Sequence, residues 1–217
     1  MTGEGFEPYP LILLLASLSI LPFLLVVTTS FLKISMVLMI VRNAMGIQQV
    51  PPNMVLYGIS LAVTLFVMAP TIQQVNTKVD DLSLEDQSIT SMLDSVGELS
   101  EPIRDFMLKQ NHPDVQIMMM ETAKELWPEE MYETITKENF LLLVPSFVVS
   151  ELQTALQIGF LIYVPFIIVD LLVSNILLAL GMQMVSPMTV SLPLKILLFV
   201  LVEGWAKLLQ SLALSYV

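Results

Sequence analysis

The chain has 217 residues, 55% of them hydrophobic and 13% charged, with a mean hydropathy of +0.79. Soluble domains carry roughly 25% charged residues, so this composition excludes an ordinary soluble globule, and the lack of cysteine excludes disulfides, thiolate metal sites and cysteine nucleophiles. The formal net charge of −11 is concentrated between Lys78 and Asn139, so the acidity belongs to one solvated segment and argues against nucleic-acid binding.

The opening residues, Met-Thr-Gly-Glu-Gly-Phe-Glu-Pro, are acidic where a cleaved signal peptide is basic, so the first apolar segment is expected to stay in the protein. From Leu11 to Leu32 only Ser, Thr and Pro interrupt apolar residues, long enough for the roughly 20 residues that a bilayer span requires. Pro22 is expected to kink this helix, and Thr29 and Lys33, one turn apart, begin a polar stripe. Gly46 to Pro52 reads as a turn, and Asn53 to Pro70 as a second span without charge, in which Gly58, Ser60 and Ala62 permit close helix approach. The two runs form a helical hairpin whose tip carries Lys33 and Arg42, and the positive-inside rule turns that tip toward the cytoplasm.

Residues 71–139 read as short soluble helices. Ser83 with Asp86 resembles a capping box, Ser100-Glu101-Pro102 a second helix start, and Trp127-Pro128 a stop for a helix beginning near Asp114. Ile103, Phe106 and Met107 are expected to form a small core. Met118, Met119 and Met120 suit either soft-metal capture or the core of this insert, and their consecutive positions favour the core. His112, beside Pro113, reads as an exposed loop histidine. With the first tip cytoplasmic, the insert lies on the opposite side of the membrane.

Phe140 to Leu180 is apolar again. About forty residues of helix measure roughly 60 Å, twice the hydrocarbon thickness, so the run must bend, at Pro145 or Pro165, or lie partly outside lipid. Glu151, Thr154 and Gln157, then Asp170 and Ser174, recur near helical spacing, and carboxylates inside such a run are expected to face protein or water. At the end of the run Gly181 suits the left-handed dihedrals that stop a helix, and Pro187 suits the first turn of the next with Ser186 as its N-cap. The hairpin tip so formed carries Met182, Gln183 and Met184. Methionine is flexible and polarizable enough to close around objects of varying shape. The last helix, Pro187 to Tyr216, places Lys195, Glu203 and Lys207 on one face, with Glu203 to Lys207 in the favourable order.

The expected fold is all-α: membrane-type helical hairpins with Pro-kinked long helices and a small soluble helical insert. Three parts are expected, an N-terminal apolar hairpin over 1–77, the acidic insert over 78–139 and a C-terminal apolar hairpin with a Met-rich tip over 140–217. No phosphate loop of the G-x-x-x-x-G-K-[ST] kind, no H-E-x-x-H and no G-x-S-x-G elbow is present in the sequence. No enzyme activity, cofactor or metal site is therefore expected, and energy for any transport must come from other subunits or the membrane gradient.

Thr29-Ser30-Phe31-Leu32-Lys33, Arg42-Asn43-Ala44-Met45-Gly46 and Pro51-Pro52-Asn53 resemble the first signature of the SctR/FliP family of type III secretion export-gate proteins. Pro145-Ser146-Phe147-Val148-Val149-Ser150-Glu151-Leu152, Gln157-Ile158-Gly159-Phe160 and Pro165 to Leu171 follow the same family's pattern. So do Ala179-Leu180-Gly181-Met182, Leu192-Pro193-Leu194-Lys195 and Glu203-Gly204-Trp205. The resemblance covers nearly the whole chain, is weakest in the acidic insert, and leans toward the virulence-injectisome branch (SctR) because no cleavable signal is read.

It implies a core subunit of the export apparatus in the bacterial inner membrane, with the insert on the periplasmic side. Five copies are expected to assemble with SctS-like and SctT-like subunits and with an SctU-like switch protein, enclosing a pore for unfolded secreted polypeptides. The family's methionine gasket falls here on Met182, Gln183 and Met184, with Gln183 departing from the triple methionine. The rival for Met182 and Met184 is simple packing of a hairpin tip. For Lys33, Arg42, Glu151, Asp170, Lys195, Glu203 and Lys207 the expectation is pairing between helices or subunits; a proton relay is the alternative, and a single histidine with no second clustered acid makes it the weaker one. The competing function is a secondary transporter or ion channel acting alone.

Overall fold

The computed structural model describes residues 8–47, 49–81 and 89–217, and these residues form nine helices. They are α1 (Pro8–Thr28), α2 (Phe31–Ala44), α3 (Asn53–Asp81), α4 (Ile89–Gln110), α5 (Pro113–Leu126), α6 (Glu129–Glu133), α7 (Phe140–Ala179), α8 (Pro187–Leu201) and α9 (Gly204–Leu214). The protein is all-α, and α3 and α7 are each long and apolar enough to cross a membrane, with the bent pair α1 and α2 as a third candidate. The 40 residues of α7 form one helix containing both Pro145 and Pro165. The capping box at Ser83 and Asp86 lies outside the described residues.

The run from Leu11 to Leu32 is not one helix. It breaks at Thr29 and Ser30, and α2 leaves at 81° to the end of α1. The cause is a cluster of hydroxyls. Thr28 Oγ1 donates to the Leu24 carbonyl at 2.7 Å and Thr29 Oγ1 to that of Leu25, while Thr29 Oγ1 accepts from the Phe31 amide at 3.4 Å. Side chains that bond the local backbone in this way compete with the helical ladder. The bend swings α2 into the centre of the protein. Its face Ile34, Val37, Leu38, Val41 and Ala44 repeats at helical spacing and is fully buried. It packs against α3 and α7 and belongs to one buried cluster with Leu56 of α3, Ala155 and Phe166 of α7, Phe199 of α8 and Leu208 and Leu212 of α9.

Close approach of α2 and α7 depends on Gly159. A Cβ there would lie 2.5 Å from Ile40 Cδ1 and 2.9 Å from its Cγ2, so the bare backbone of α7 receives the Ile40 side chain. Gly58, expected to serve this purpose in α3, stands in open space, where an added Cβ would meet nothing within 4 Å. Ser60 is the buried small residue of that helix, and its Oγ donates back to the Leu56 carbonyl at 2.8 Å.

The acidic segment is seated on the apolar helices. Met107 of α4 is buried with Leu143 and Phe147 of α7, with Ile103 and Phe106 at the margin. The small core expected within the insert is therefore shared with α7. At the α4–α5 junction Asn111 Nδ2 donates to Ser146 Oγ at 2.6 Å, Ser150 Oγ donates to Asn111 Oδ1 at 2.8 Å, and the His112 amide donates to Ser150 Oγ at 3.0 Å. His112 caps the start of α5, and its ring Nε2 lies 2.9 Å from Thr154 Oγ1. Trp127 ends α5, as its proline neighbour requires. Of the three adjacent methionines, Met118 is exposed and Met119 and Met120 are half-buried. Val115 and Ala123 are the buried residues of α5, so the methionines are not its core.

Ser100-Glu101-Pro102 lies inside α4 rather than at its start. Proline in a helix interior deprives the carbonyl four residues earlier of its donor. Here that carbonyl belongs to Glu98, and Lys78 of α3 donates to it at 3.2 Å while also pairing with the Glu101 carboxylate. The cation replaces the missing amide, so the helix runs on. The final helix is also broken. Glu203 adopts left-handed dihedrals (φ 55°, ψ 42°) between α8 and α9. The Phe199 ring lies so close over Gly204 that a Cβ there would be 2.4 Å from it. Phe199 is held in turn by Trp205, edge-on at 5.2 Å, and by Phe166 at 6.2 Å.

Two outcomes follow from this packing. Gly159→Ala is expected to lower stability by about 1–3 kcal/mol through overpacking against Ile40. Gly58→Ala, in open space, is expected to be neutral or to stabilise by up to about 1 kcal/mol; thermal unfolding of the detergent-extracted protein reads both. The second concerns Glu101, whose hydrogen bond and charge attraction to Lys78 hold its carboxyl below the ordinary value of 4.5. A depressed carboxyl stabilises the fold above its unfolded pKa and loses that contribution as the pH falls through the folded one. Unfolding midpoints of the parent and Glu101→Gln are thus expected to differ at pH 7 and to converge as the pH falls below 4.5.

The Gly181–Pro187 tip and the charge pairs behind it

The tip between α7 and α8 is shaped by its backbone. Gly181 has φ +72°, the Met182 amide donates to the Leu177 carbonyl at 2.9 Å and the Gly181 amide to that of Leu178 at 3.0 Å. These are the two crossed bonds of a Schellman stop, which satisfy the carbonyls a helix end leaves open. A Cβ on Gly181 would meet nothing within 4 Å, so glycine is needed here for its dihedrals rather than for space. Ser186 stands at the N-cap of α8 in an extended conformation, without a side-chain capping bond, and Pro187 opens the helix. Between these ends Met182 is 44% exposed and Met184 102% exposed, with Gln183 also exposed. Full burial of such a side chain stabilises by about 1.5–3 kcal/mol, so the tip presents unused apolar surface.

Behind the tip, Asp170 of α7 and Lys195 of α8 pair at 2.6 Å. Ser191 Oγ donates to the other carboxylate oxygen at 2.6 Å, and Lys195 Nζ donates to the Ala44 carbonyl at the end of α2 at 3.3 Å. Lys195 thus bridges the two arms of the hairpin and places a cation at a helix C-terminus, where the dipole favours it. Lys195 is buried while Asp170 is 41% exposed. Ser191 was absent from the sequence-level candidates although it lies one helical turn before Lys195.

Lys33 of α2 and Glu151 of α7 form the other pair, at 3.3 Å, each side chain 2% exposed. Lys33 is therefore not on an exposed hairpin tip. The bend at Thr29 and Ser30 turns it inward, which leaves Arg42 as the basic residue near that turn. Arg42 Nη1 donates to Asn53 Oδ1 at 2.5 Å and to the Pro51 carbonyl at 3.3 Å, joining the end of α2 to the start of α3. Tyr216, which sequence reasoning missed, donates its hydroxyl to Glu151 and lies 3.2 Å from the Ser30 carbonyl. No spacing pattern connects residues 65 apart in the chain.

Glu203 and Lys207 do not share a continuous helix face with Lys195, because the chain breaks between α8 and α9. Both are exposed, and among the described residues they form no ion pair with each other; the Lys207 amide bonds the Glu203 carbonyl at 3.1 Å.

Removing one member of a buried pair leaves an uncompensated charge, at a cost of about 3–5 kcal/mol, whereas replacing both with apolar residues is often close to neutral. Glu151→Met alone is thus expected to abolish recovery of folded protein, and Lys33→Met with Glu151→Met to restore much of it. Yield and thermal midpoint of the extracted protein read the difference, and a double variant as poor as the single one would exclude this account of the pair.

The fold and these features define an all-α membrane-type protein whose apolar hairpins are braced by internal ion pairs and end in a methionine tip. The model of the FliP family matches residues 14–212. The harpin secretion protein HrcR of Erwinia amylovora is 53% identical over 216 residues, covering 100% of both chains. The virulence protein YscR of Salmonella typhimurium is 45% identical over 211 residues (97% of both chains), and the Yop proteins translocation protein R of Yersinia pestis 43% over 208 residues (95% of both). The chain belongs to the FliP family, on its SctR side.

Proposed function

We infer that this chain is a core subunit of a type III secretion export apparatus in the bacterial inner membrane. Several copies, five by the family resemblance, surround a passage for unfolded polypeptide together with SctS-like, SctT-like and SctU-like subunits. Met182 and Met184 of neighbouring copies form its stopper. The observation that carries this reading is the tip itself: Met184 wholly exposed and Met182 half-exposed at the point of an apolar hairpin, in a backbone stop that leaves their side chains free. Apolar constrictions block ions by dewetting and still deform around a changing chain. Gln183 brings an amide into one layer of the seal.

The remaining surface supports assembly. The 40-residue α7 measures roughly 60 Å, beyond a bilayer core of about 30 Å, and Phe160, Leu161, Leu171 and Leu172 along it are exposed in the single chain. In this reading they are covered by other subunits, and much of the helix stands outside lipid. The 78–139 segment faces the periplasm. Asp170 with Lys195 and Glu151 with Lys33 act as brackets of the hairpins rather than as a proton relay, and Glu203 and Lys207 face neighbouring subunits. The subunit conducts without chemistry of its own.

Met182→Ala with Met184→Ala is expected to raise leakage of small ions through the assembled complex severalfold while leaving assembly intact. Dye or ion flux across membranes containing the complex measures it. An unchanged flux in a fully assembled particle, or extraction of a lone monomer or dimer in place of a ring, overturns the reading.

A further inference from the structure

Glu151 is enclosed in protein, so each carboxylate oxygen needs a donor. Lys33 serves Oε1 at 3.3 Å, long for a charge-assisted bond, which typically measures about 2.7–2.9 Å. Oε2 is served by the Tyr216 hydroxyl, in the closer of the two contacts. The same tyrosine also meets the other ion, because Lys33 Nζ sits 3.5 Å from the centroid of its ring, within cation–π range. The ring stacks on Phe106 of α4 at 5.8 Å, Phe106 meets Phe147 of α7 edge-on at 6.0 Å, and Gln110 Nε2 donates to the Tyr216 carbonyl at 3.2 Å. One residue beyond α9 therefore touches α2, α4 and α7 together.

We propose that Tyr216 is a positioning residue: its hydroxyl sets the Glu151 carboxylate against Lys33, and its ring and carbonyl carry that arrangement to α4. The seating of the acidic segment on the apolar helices is thereby coupled to the buried charge pair. Tyrosine suits the position as no other residue does. Phenylalanine keeps the ring under Lys33 and against Phe106 but leaves Glu151 Oε2 without its donor, and an aliphatic residue loses the cation–π contact as well.

The chain has no cysteine, so one introduced at Met107, fully buried in the seam between α4 and α7, reports on seating without background. Labelling of Met107→Cys by a maleimide in native membranes is expected to be slow in the parent. It is expected to run about tenfold faster with Tyr216→Phe, the order that follows from losing one hydrogen bond to a buried charge. In the Lys33→Met, Glu151→Met background, where the whole pair is gone, the added effect of Tyr216→Phe is expected to shrink to about twofold or less, as coupled residues behave in a double-mutant cycle. Hydrogen exchange of α4 amides in the cysteine-free chain gives the same comparison without the substitution at Met107. A parent rate retained by Tyr216→Phe while Tyr216→Leu opens the seam would reduce Tyr216 to ring packing and overturn the proposal. Equal acceleration by Tyr216→Phe in both backgrounds would overturn it too. Neither measurement reads conduction, so either result leaves the assignment of the methionine tip standing.

Discussion

A lysine and a glutamate enclosed among apolar helices cost several kcal/mol each to desolvate, and their mutual attraction offsets this only if their remaining hydrogen-bonding capacity is filled. In this protein the Lys33–Glu151 pair meets that condition through the tyrosine hydroxyl and the aromatic face under the ammonium. The requirement fixes more than two side chains. Lys33 reaches Glu151 because the chain bends where the Thr28 and Thr29 hydroxyls bond the local backbone and swings α2 inward, and α2 stays close to α7 because Gly159 admits Ile40. A helix that is central in space is thus held by polar contacts at one end, close packing along its length and Lys195 on its final carbonyl at the other.

Much of this architecture was legible from residue order. The apolar runs, the stop at Gly181, the start at Pro187 and the end of α5 at Trp127 are decided by neighbours in sequence, through chain length, dihedral preference and the missing amide of proline. Three features were not. The bend at Thr29 and Ser30 falls where hydroxyls happen to outcompete the helical ladder in an otherwise continuous apolar run. Pro102 reads locally as a helix start, yet α4 passes through it because Lys78, from another helix, supplies a donor to the freed carbonyl. The break at Glu203 depends on Phe199 lying over Gly204, a contact of side-chain packing that periodicity does not encode.

The charged candidates show the same division. Position within apolar runs marked Glu151, Asp170 and Lys195 as residues in need of partners, whereas Lys33 was read on a hairpin tip; each of the four meets an opposite charge across a helix interface. Which ion meets which was not readable, because partners far apart in the chain are matched by the fold, and the neutral groups completing each site carry no compositional mark. Ser191 was the exception, one turn from Lys195. Arg42 differs from the others in bonding neutral oxygens at a turn, so a guanidinium next to Pro51 and Asn53 serves as a clasp between consecutive helices.

The stop at Gly181 has a further implication. Its form is held by amide–carbonyl bonds and by two residues with restricted or unusual dihedrals, while the space around the glycine is empty. Nothing in the bend consults the side chains of residues 182–184. Shape and chemistry at this point are therefore separately adjustable: positions 182–184 are free to carry thioether or amide side chains without refolding the loop. Gln183 between two methionines is an instance of that freedom.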